Sequence, residues 1–224
     1  MTQRELDGQT LFVIGGGRGI GAAIATRARQ VGMVVTVGAR DPLAIDGAVR
    51  LDLTDEATIA AASAQIGAVD HVVTLGSLPH DAPVAGLDRD RMVAAFEAKV
   101  IGPILVAKHF EIRQSMTLFA GVVGWRPGPG SIVKGITNGA VDYAVRHLAA
   151  NLAPVRVNAI APGIIDSGAW DAKGEAKPAF LTGAAGQTLV GRHGELDDVV
   201  DAALWLIRSP YVDGETIHVD GGRR

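Results

Sequence analysis

The stretch Val13-Ile14-Gly15-Gly16-Gly17-Arg18-Gly19-Ile20-Gly21 is a glycine-rich turn between a short apolar run and an alanine-rich one. That is the local geometry that holds a dinucleotide pyrophosphate. Gly15 permits the tight turn out of a strand, while Gly19 and Gly21 let backbone and helix approach the phosphates. The helix start adds free N–H groups and a partial positive charge. A glycine turn can also stand on a surface with no ligand; here a strand before it, a helix after it and its place at the head of a βαβ unit supply the confirming context. At the end of the second predicted strand, where an acid would bond a ribose 2′-OH, the chain has Ala39 followed by Arg40. Together with Arg18, two guanidiniums and no acid suit a 2′-phosphate. This favours NADP as cofactor; NAD stays open, because Arg40 could instead pair with its neighbour Asp41.

Few other side chains have the type and spacing for chemistry. His80-Asp81 could form an acid/base pair, but Pro79 and Pro83 flank it and a solvated loop is the expectation. His193, among glycines before a helix, reads as structural. Ser131 and Thr137 suit either a site hydroxyl or a cap at a helix start. Trp125 and Trp170 suit an apolar substrate slot or ordinary packing. With 6 histidines lacking paired helical spacing and no cysteine, no metal site is expected, and disulfides and a cysteine nucleophile are excluded.

The elements that must position these residues alternate along the chain. Strands are predicted at Thr10–Ile14, Met33–Gly38, Ala48–Leu51, His71–Leu75, Met116–Ala120, Val155–Ile160 and Thr216–Val219. Most are nearly continuous apolar runs, as in strands covered on both faces of a parallel sheet. Helical length and spacing mark Gly19–Val31, Asp55–Ile66, Arg89–Phe110, Ile132–Leu152 and Leu196–Ile207. The expectation is a single-domain Rossmann-type α/β fold over residues 1–224, a doubly wound sheet of about seven parallel strands flanked by helices. Gly124–Ser131 and Asp166–Gly191 read as irregular; the second is broken by Pro178 and is a candidate lid. In such sheets, loops at the carboxyl ends of the strands line the ligand crevice.

The chain is 48% apolar and 20% charged with a net charge of −3, which calls for neither nucleic acid nor an anionic membrane. No run is long enough to span a bilayer, and Met1–Gly8 lacks the apolar core of a leader. A cytoplasmic protein is the default expectation.

The spacing Gly15-x-x-x-Gly19-x-Gly21 resembles that of the short-chain dehydrogenase/reductase family, and the resemblance covers essentially the whole chain. Asp52-Leu53 looks like the family's contact to the adenine amino group. Arg156-Val157-Asn158-Ala159-Ile160-Ala161-Pro162-Gly163 matches its sixth strand and the Pro-Gly turn against the nicotinamide. Ser167 stands where the family has a threonine that helps hold the cofactor; Gly191-Arg192, Gly214 and Asp220-Gly221-Gly222 fall where similar proteins have them. The implied cofactor contacts are Gly15, Gly17, Arg18, Gly19, Ile20 and Gly21 in the first loop, with Ala39, Arg40, Asp52 and Leu53. Leu75 and Gly76 after the fourth strand, and Pro162, Gly163, Ile165 and Ser167 after the sixth, complete them.

The family reduces a carbonyl with a tyrosine acid, a lysine four residues later that lowers the tyrosine pKa, a serine and an asparagine. Hydride transfer leaves charge on an oxygen, and a tuned donor must neutralise it. The two tyrosines here, Tyr143 and Tyr211, are not followed by such a lysine. Aligning Asn138-Gly139-Ala140 through His147-Leu148-Ala149 with the family helix puts Lys134 at the tyrosine position and Asn138 at the lysine position. The serine position falls on Ala120 or Gly121, Lys99 takes the asparagine position, and Thr74-Leu75-Gly76-Ser77 replaces the usual Asn-Asn-Ala-Gly. The resemblance therefore implies an atypical oxidoreductase acting on a small carbonyl, alcohol or imine compound through Lys134, Asn138 and Lys99, with Lys134 as proton donor if burial and Lys99 lower its pKa. The alternatives are a protein that binds NADP(H) without chemistry, as sensor, scaffold or partner subunit, and a cofactor-free interaction module. Similar proteins pair as dimers or tetramers through the helices that here are Arg89–Phe110 and Ile132–Leu152.

Overall fold

A computed structural model describes residues 6–43 and 45–223; the leader argument thus falls largely on residues 1–5, outside the described ones. β1 (Thr10–Ile14) lies between β2 (Val34–Ala39) and β4 (Val69–Thr74), and β3 (Val49–Arg50) joins the far side of β2. Beyond β4 come β5 (Ile112–Phe119), β6 (Arg156–Pro162) and β9 (Thr216–Val219). The sheet has seven strands in the order β3-β2-β1-β4-β5-β6-β9, and every pairing is parallel. The chain runs outward in one direction from β1 and in the other from β4, so the crevice of a doubly wound sheet opens at their carboxyl ends.

Strand periodicity explains why the predicted strands are apolar throughout. In β1, Leu11 and Val13 face one core with Ile24 of α1 (Gly19–Gln30) and Leu206 of α7 (Leu196–Arg208). Phe12 and Ile14 face the other, with Ile59 of α2 (Glu56–Ile66), Val106 of α4 (Gly102–His109) and Val145 of α5 (Ile132–Leu152). Phe12 is fully buried and stacks on Phe110 with ring centroids 5.2 Å apart. Asp55 starts α2 as a cap, its carboxylate accepting the Ala57 N–H. A capping box between Glu195 and Asp198 starts α7, and the buried Arg156 guanidinium donates to the Leu206 and Ile207 carbonyls at its end, each at 2.9 Å.

Three elements differ from the sequence expectation. Arg89–Phe110 is not one regular α-helix: α3 (Arg89–Phe96) passes through a π-helical turn, Glu97–Ile101, into α4. The predicted strand Ala48–Leu51 shrinks to Val49–Arg50 at the sheet edge. Asp166–Gly191 is largely ordered structure. It holds β7 (Ile165–Asp166), paired to β8 (Gly194–Glu195), a 3₁₀ segment Asp171–Ala176 and α6 (Lys177–Ala185). Pro178 does not break this helix. It sits in the first turn, where a missing N–H costs no hydrogen bond.

No helix among the described residues is long and apolar enough to cross a membrane.

Candidate active site

At the β1–β4 end the crevice is a cavity of about 520 Å³. Gly15, Gly17, Arg18, Ala39, Arg40, Asp52, Leu53, Leu75 and Gly76 line it, so residues from four separated segments meet as expected. Gly19 has φ +54°, a left-handed conformation, and a Cβ there would lie 3.0 Å from the Ser167 carbonyl oxygen. A Cβ on Gly21 would overlap the Gly15 carbonyl, so the loop can fold back on α1 only with glycine there. The first turn of α1 carries no acid, and Arg18 at its cap makes no side-chain hydrogen bond to it. Its orphan N–H groups are thus left for an anion. This cradle fits a dinucleotide pyrophosphate.

The ribose end fits as well. Arg18 and Arg40 are both exposed on the cavity, and neither makes an ion pair among the described residues. Asp41 lines the same cavity without pairing to Arg40. One Asp52 oxygen, Oδ1, accepts from the Thr54 N–H at 3.0 Å and its hydroxyl at 2.9 Å, leaving Oδ2 for an amino group. Sequence reasoning missed Ile45, whose Cδ1 lies over Gly17 and walls the cavity. Its loop carries no local signal, because its path is set by the β2-to-β3 crossing.

Five expected contacts are placed differently. Ile20 packs against the Leu11 core and does not line the cavity. Pro162 does not line it either, and Ile165 is buried at 4% exposure. Gly163, whose N–H donates to Val219 at 2.9 Å, and Ile165 border a separate cavity of about 380 Å³ with Arg192, His193 and His218. Ser167 reaches the glycine loop through its backbone oxygen.

At the other end, the π-helical turn carries Lys99 toward the tip of β5. Such a turn places one more residue per turn than the α-helix and reorients the side chains within it. Lys99 Nζ donates to the Ala120 carbonyl at 3.3 Å. Burial pushes its pKa down to about 8, with the Lys134 charge a second, smaller cause. Lys134 is ion-paired with Asp81, which ties α5 to the loop after β4. The lowered pKa was expected at Lys134, with Lys99 as the perturbing cation. The depressed amine is Lys99, and its lost hydration is the larger cause. Asn138 is 4% exposed and backs onto Gly121, where an added Cβ would lie 3.0 Å from its Nδ2. Among the described residues no hydrogen bond reaches its side-chain amide.

His80 is not in a solvated loop. It is 2% exposed, and its Nε2 accepts the Asp88 N–H at 3.0 Å, pinning the loop to the start of α3. Neither Ser131 nor Thr137 caps α5: their hydroxyls donate to the Gly128 and Val133 carbonyls at 2.6 and 3.0 Å. Trp125 meets His218 edge-on at 4.4 Å, and Trp170 donates to the Ile165 carbonyl at 2.9 Å and packs on Phe180. Both tryptophans are packing residues.

Comparison with known proteins agrees with this geometry. The family model described as enoyl-(acyl carrier protein) reductase matches residues 15–224. The chain is 29% identical to the short-chain dehydrogenase/reductase ATR9 of Stachybotrys chlorohalonatus, with 96% of each chain covered. It is 30% identical to the short-chain reductase protein NovJ of Streptomyces niveus, over 95% of this chain and 92% of that one. A small-chain dehydrogenase solved in complex with NADPH superposes with a TM-score of 0.86 at 31% identity, covering 96% of this chain and 98% of that one. The MalC reductase/Diels-Alderase of Malbranchea aurantiaca shares the fold, with a TM-score of 0.89 at 24% identity over 99% of this chain and 98% of that one.

Proposed function

We propose that this chain, which belongs to the short-chain dehydrogenase/reductase family, is an NADP(H)-dependent reductase of a small carbonyl or imine compound, with Lys99 in place of the usual tyrosine acid. The observation that carries the reading is the half-buried Lys99 ammonium, which donates to the Ala120 carbonyl at the tip of β5 beside an open dinucleotide cradle and whose pKa is lowered, chiefly by lost hydration, to about 8. The NADPH complex of a relative that is 31% identical supports the cofactor, and Arg18 and Arg40, without an ion pair among the described residues, support NADP over NAD.

When bound, the reduced dinucleotide supplies a hydride to the substrate carbon. The chain's part is to neutralise the oxygen or nitrogen that receives the released π electrons. Lys99 gives that atom its proton, becomes a neutral amine and is reprotonated from water. A donor with a pKa near the working pH suits this task, because it is protonated when needed and still gives up its proton readily. Asn138 offers two N–H donors and a carbonyl to the substrate or the cofactor ribose. Lys134, held by Asp81, keeps a second positive charge at the site and so keeps Lys99 acidic.

The outer helices suit a homodimer or homotetramer. Ile101 and Ile104, with Ile132, Ile136 and Tyr143 of α5, are exposed apolar side chains on the helices expected to pair.

Fluorescence titration with NADPH and NADH, followed by a screen of carbonyl and imine compounds, tests this reading. Lys99→Met should abolish turnover while NADPH binding persists. Lys134→Ala should leave measurable turnover with an altered pH profile. Activity that survives Lys99→Met would exclude Lys99 as the proton source. NADPH binding with no turnover across the screen would favour the non-catalytic sensor or scaffold.

A further inference from the structure

We propose that the compound reduced is a 2-oxo acid with an apolar substituent, whose carboxylate takes Lys134 from Asp81 and whose substituent enters the cavity beside that pair. The inference rests on the reductase reading above and adds the class of substrate.

Charge comes first. The structure brings two lysines, Lys99 and Lys134, to the substrate end of the crevice against one acid, Asp81. With Lys99 protonated the site carries a net positive charge, and the resemblance to the family puts Ala120 or Gly121 at the serine position and Lys134 at the tyrosine position, in place of the hydroxyls that would serve a neutral carbonyl. A neutral ketone leaves that charge unmatched; a carboxylate one bond from the carbonyl matches it.

The ion pair is also built to exchange. The Lys134 side chain is 32% exposed and that of Asp81 is 50% exposed, so water reaches both partners and the pair is held weakly. Asp81 belongs to the loop after β4 and can return to solvent without leaving a buried charge behind. A substrate carboxylate on Lys134, shielded by the bound dinucleotide, meets the same ammonium in a drier setting, where the attraction is stronger.

Lys134 and Asp81 adjoin in the chain, without themselves lining it, a mainly apolar cavity of about 610 Å³. The residues that follow them, Gly135 and Ala82, are part of its wall, with Val84, Pro127, Ile132 and Ile136. None of the wall residues carries a charge. Asn138, buried and without a hydrogen bond to its side chain among the described residues, lies on α5 one turn beyond Lys134.

The test compares benzoylformate with its methyl ester, two probes alike in carbonyl and aryl group and different in charge. NADPH oxidation should show a kcat/KM at least about tenfold higher for the acid, the preference falling as NaCl is raised. Lys134→Gln should erase the preference by raising KM for the acid, and Lys134→Arg should restore it. Equal or better reduction of the ester, or a preference that survives Lys134→Gln, would overturn the proposal. Calorimetric titration of benzoylformate into protein saturated with NADP⁺ separates this failure from that of the reductase reading. If neither probe turns over but benzoylformate binds and Lys134→Gln weakens it, the anion site stands and catalysis falls. If benzoylformate does not bind, the substrate class is wrong. NADPH affinity equal to that of the unaltered protein shows that each variant has folded.

Discussion

Lys99 Nζ and the carbonyl oxygen of Ala120 are 3.3 Å apart, so the amine at the tip of β5 hangs from a neutral backbone group and not from a carboxylate. An ammonium so placed gains no counter-charge from its nearest partner, and its lost hydration goes largely uncompensated. The result is an acid near neutrality on a side chain that ordinarily titrates at 10.5.

The pH dependence follows from that value. With Lys99 as the proposed proton donor, kcat/KM should be flat below about pH 8 and fall above it. Lys134→Gln removes the second positive charge facing Lys99 and should move this limb to higher pH, whereas Asp81→Asn, which leaves Lys134 unpaired, should not. Lys99→Met should lower kcat by at least about 100-fold. Stability runs the other way. Because the folded pKa lies below the unfolded one, the contribution of Lys99 is fully present above pH 10.5 and is lost as pH falls through 8. Urea midpoints between pH 7 and 10.5 should therefore rise more for the unaltered protein than for Lys99→Met.

Cofactor choice turns on two exposed guanidiniums. Arg40→Ala should raise the NADPH Kd by about 10- to 100-fold, the worth of a charge-assisted phosphate contact. NADH binding should change little. Equal losses for both dinucleotides would place Arg40 outside the 2′-phosphate site.

Acid stability has an identifiable source in Asp198. The Arg192 hydrogen bond, helped by the Glu195 N–H, holds its carboxyl down to about 2 against burial. Its folded pKa is lower than its unfolded one, so its contribution is present above about pH 4 and lost as pH falls toward 2. Asp198→Asn should cost about 1 kcal/mol near neutrality, as for a lost helix cap, and flatten the loss between pH 4 and 2. Chemical denaturation across that range measures it.

The sheet itself depends on Phe12. Its ring is fully buried between sheet and helices and stacks on Phe110 at 5.2 Å. Phe12→Ala should cost about 3–5 kcal/mol in urea denaturation, through lost burial and the cavity left behind.

The chain's residues by themselves determined the order of strands and helices, because continuous apolar runs and helical spacing are local patterns. They also determined the dinucleotide cradle, since Gly15 and Gly19 take left-handed backbone angles and Gly21 packs on Gly15 within one turn. Pro178 misled because its meaning depends on where the helix begins, and a first-turn proline looks like a breaker until α6 is seen. Only the tertiary structure decided which lysine loses the more hydration and so has the lowered pKa. The pKa of an amine depends on the water it loses and the charges that face it, and both come from distant segments. Ala120 arrives from β5 to hold Lys99, and Asp81 arrives from the loop after β4 to hold Lys134.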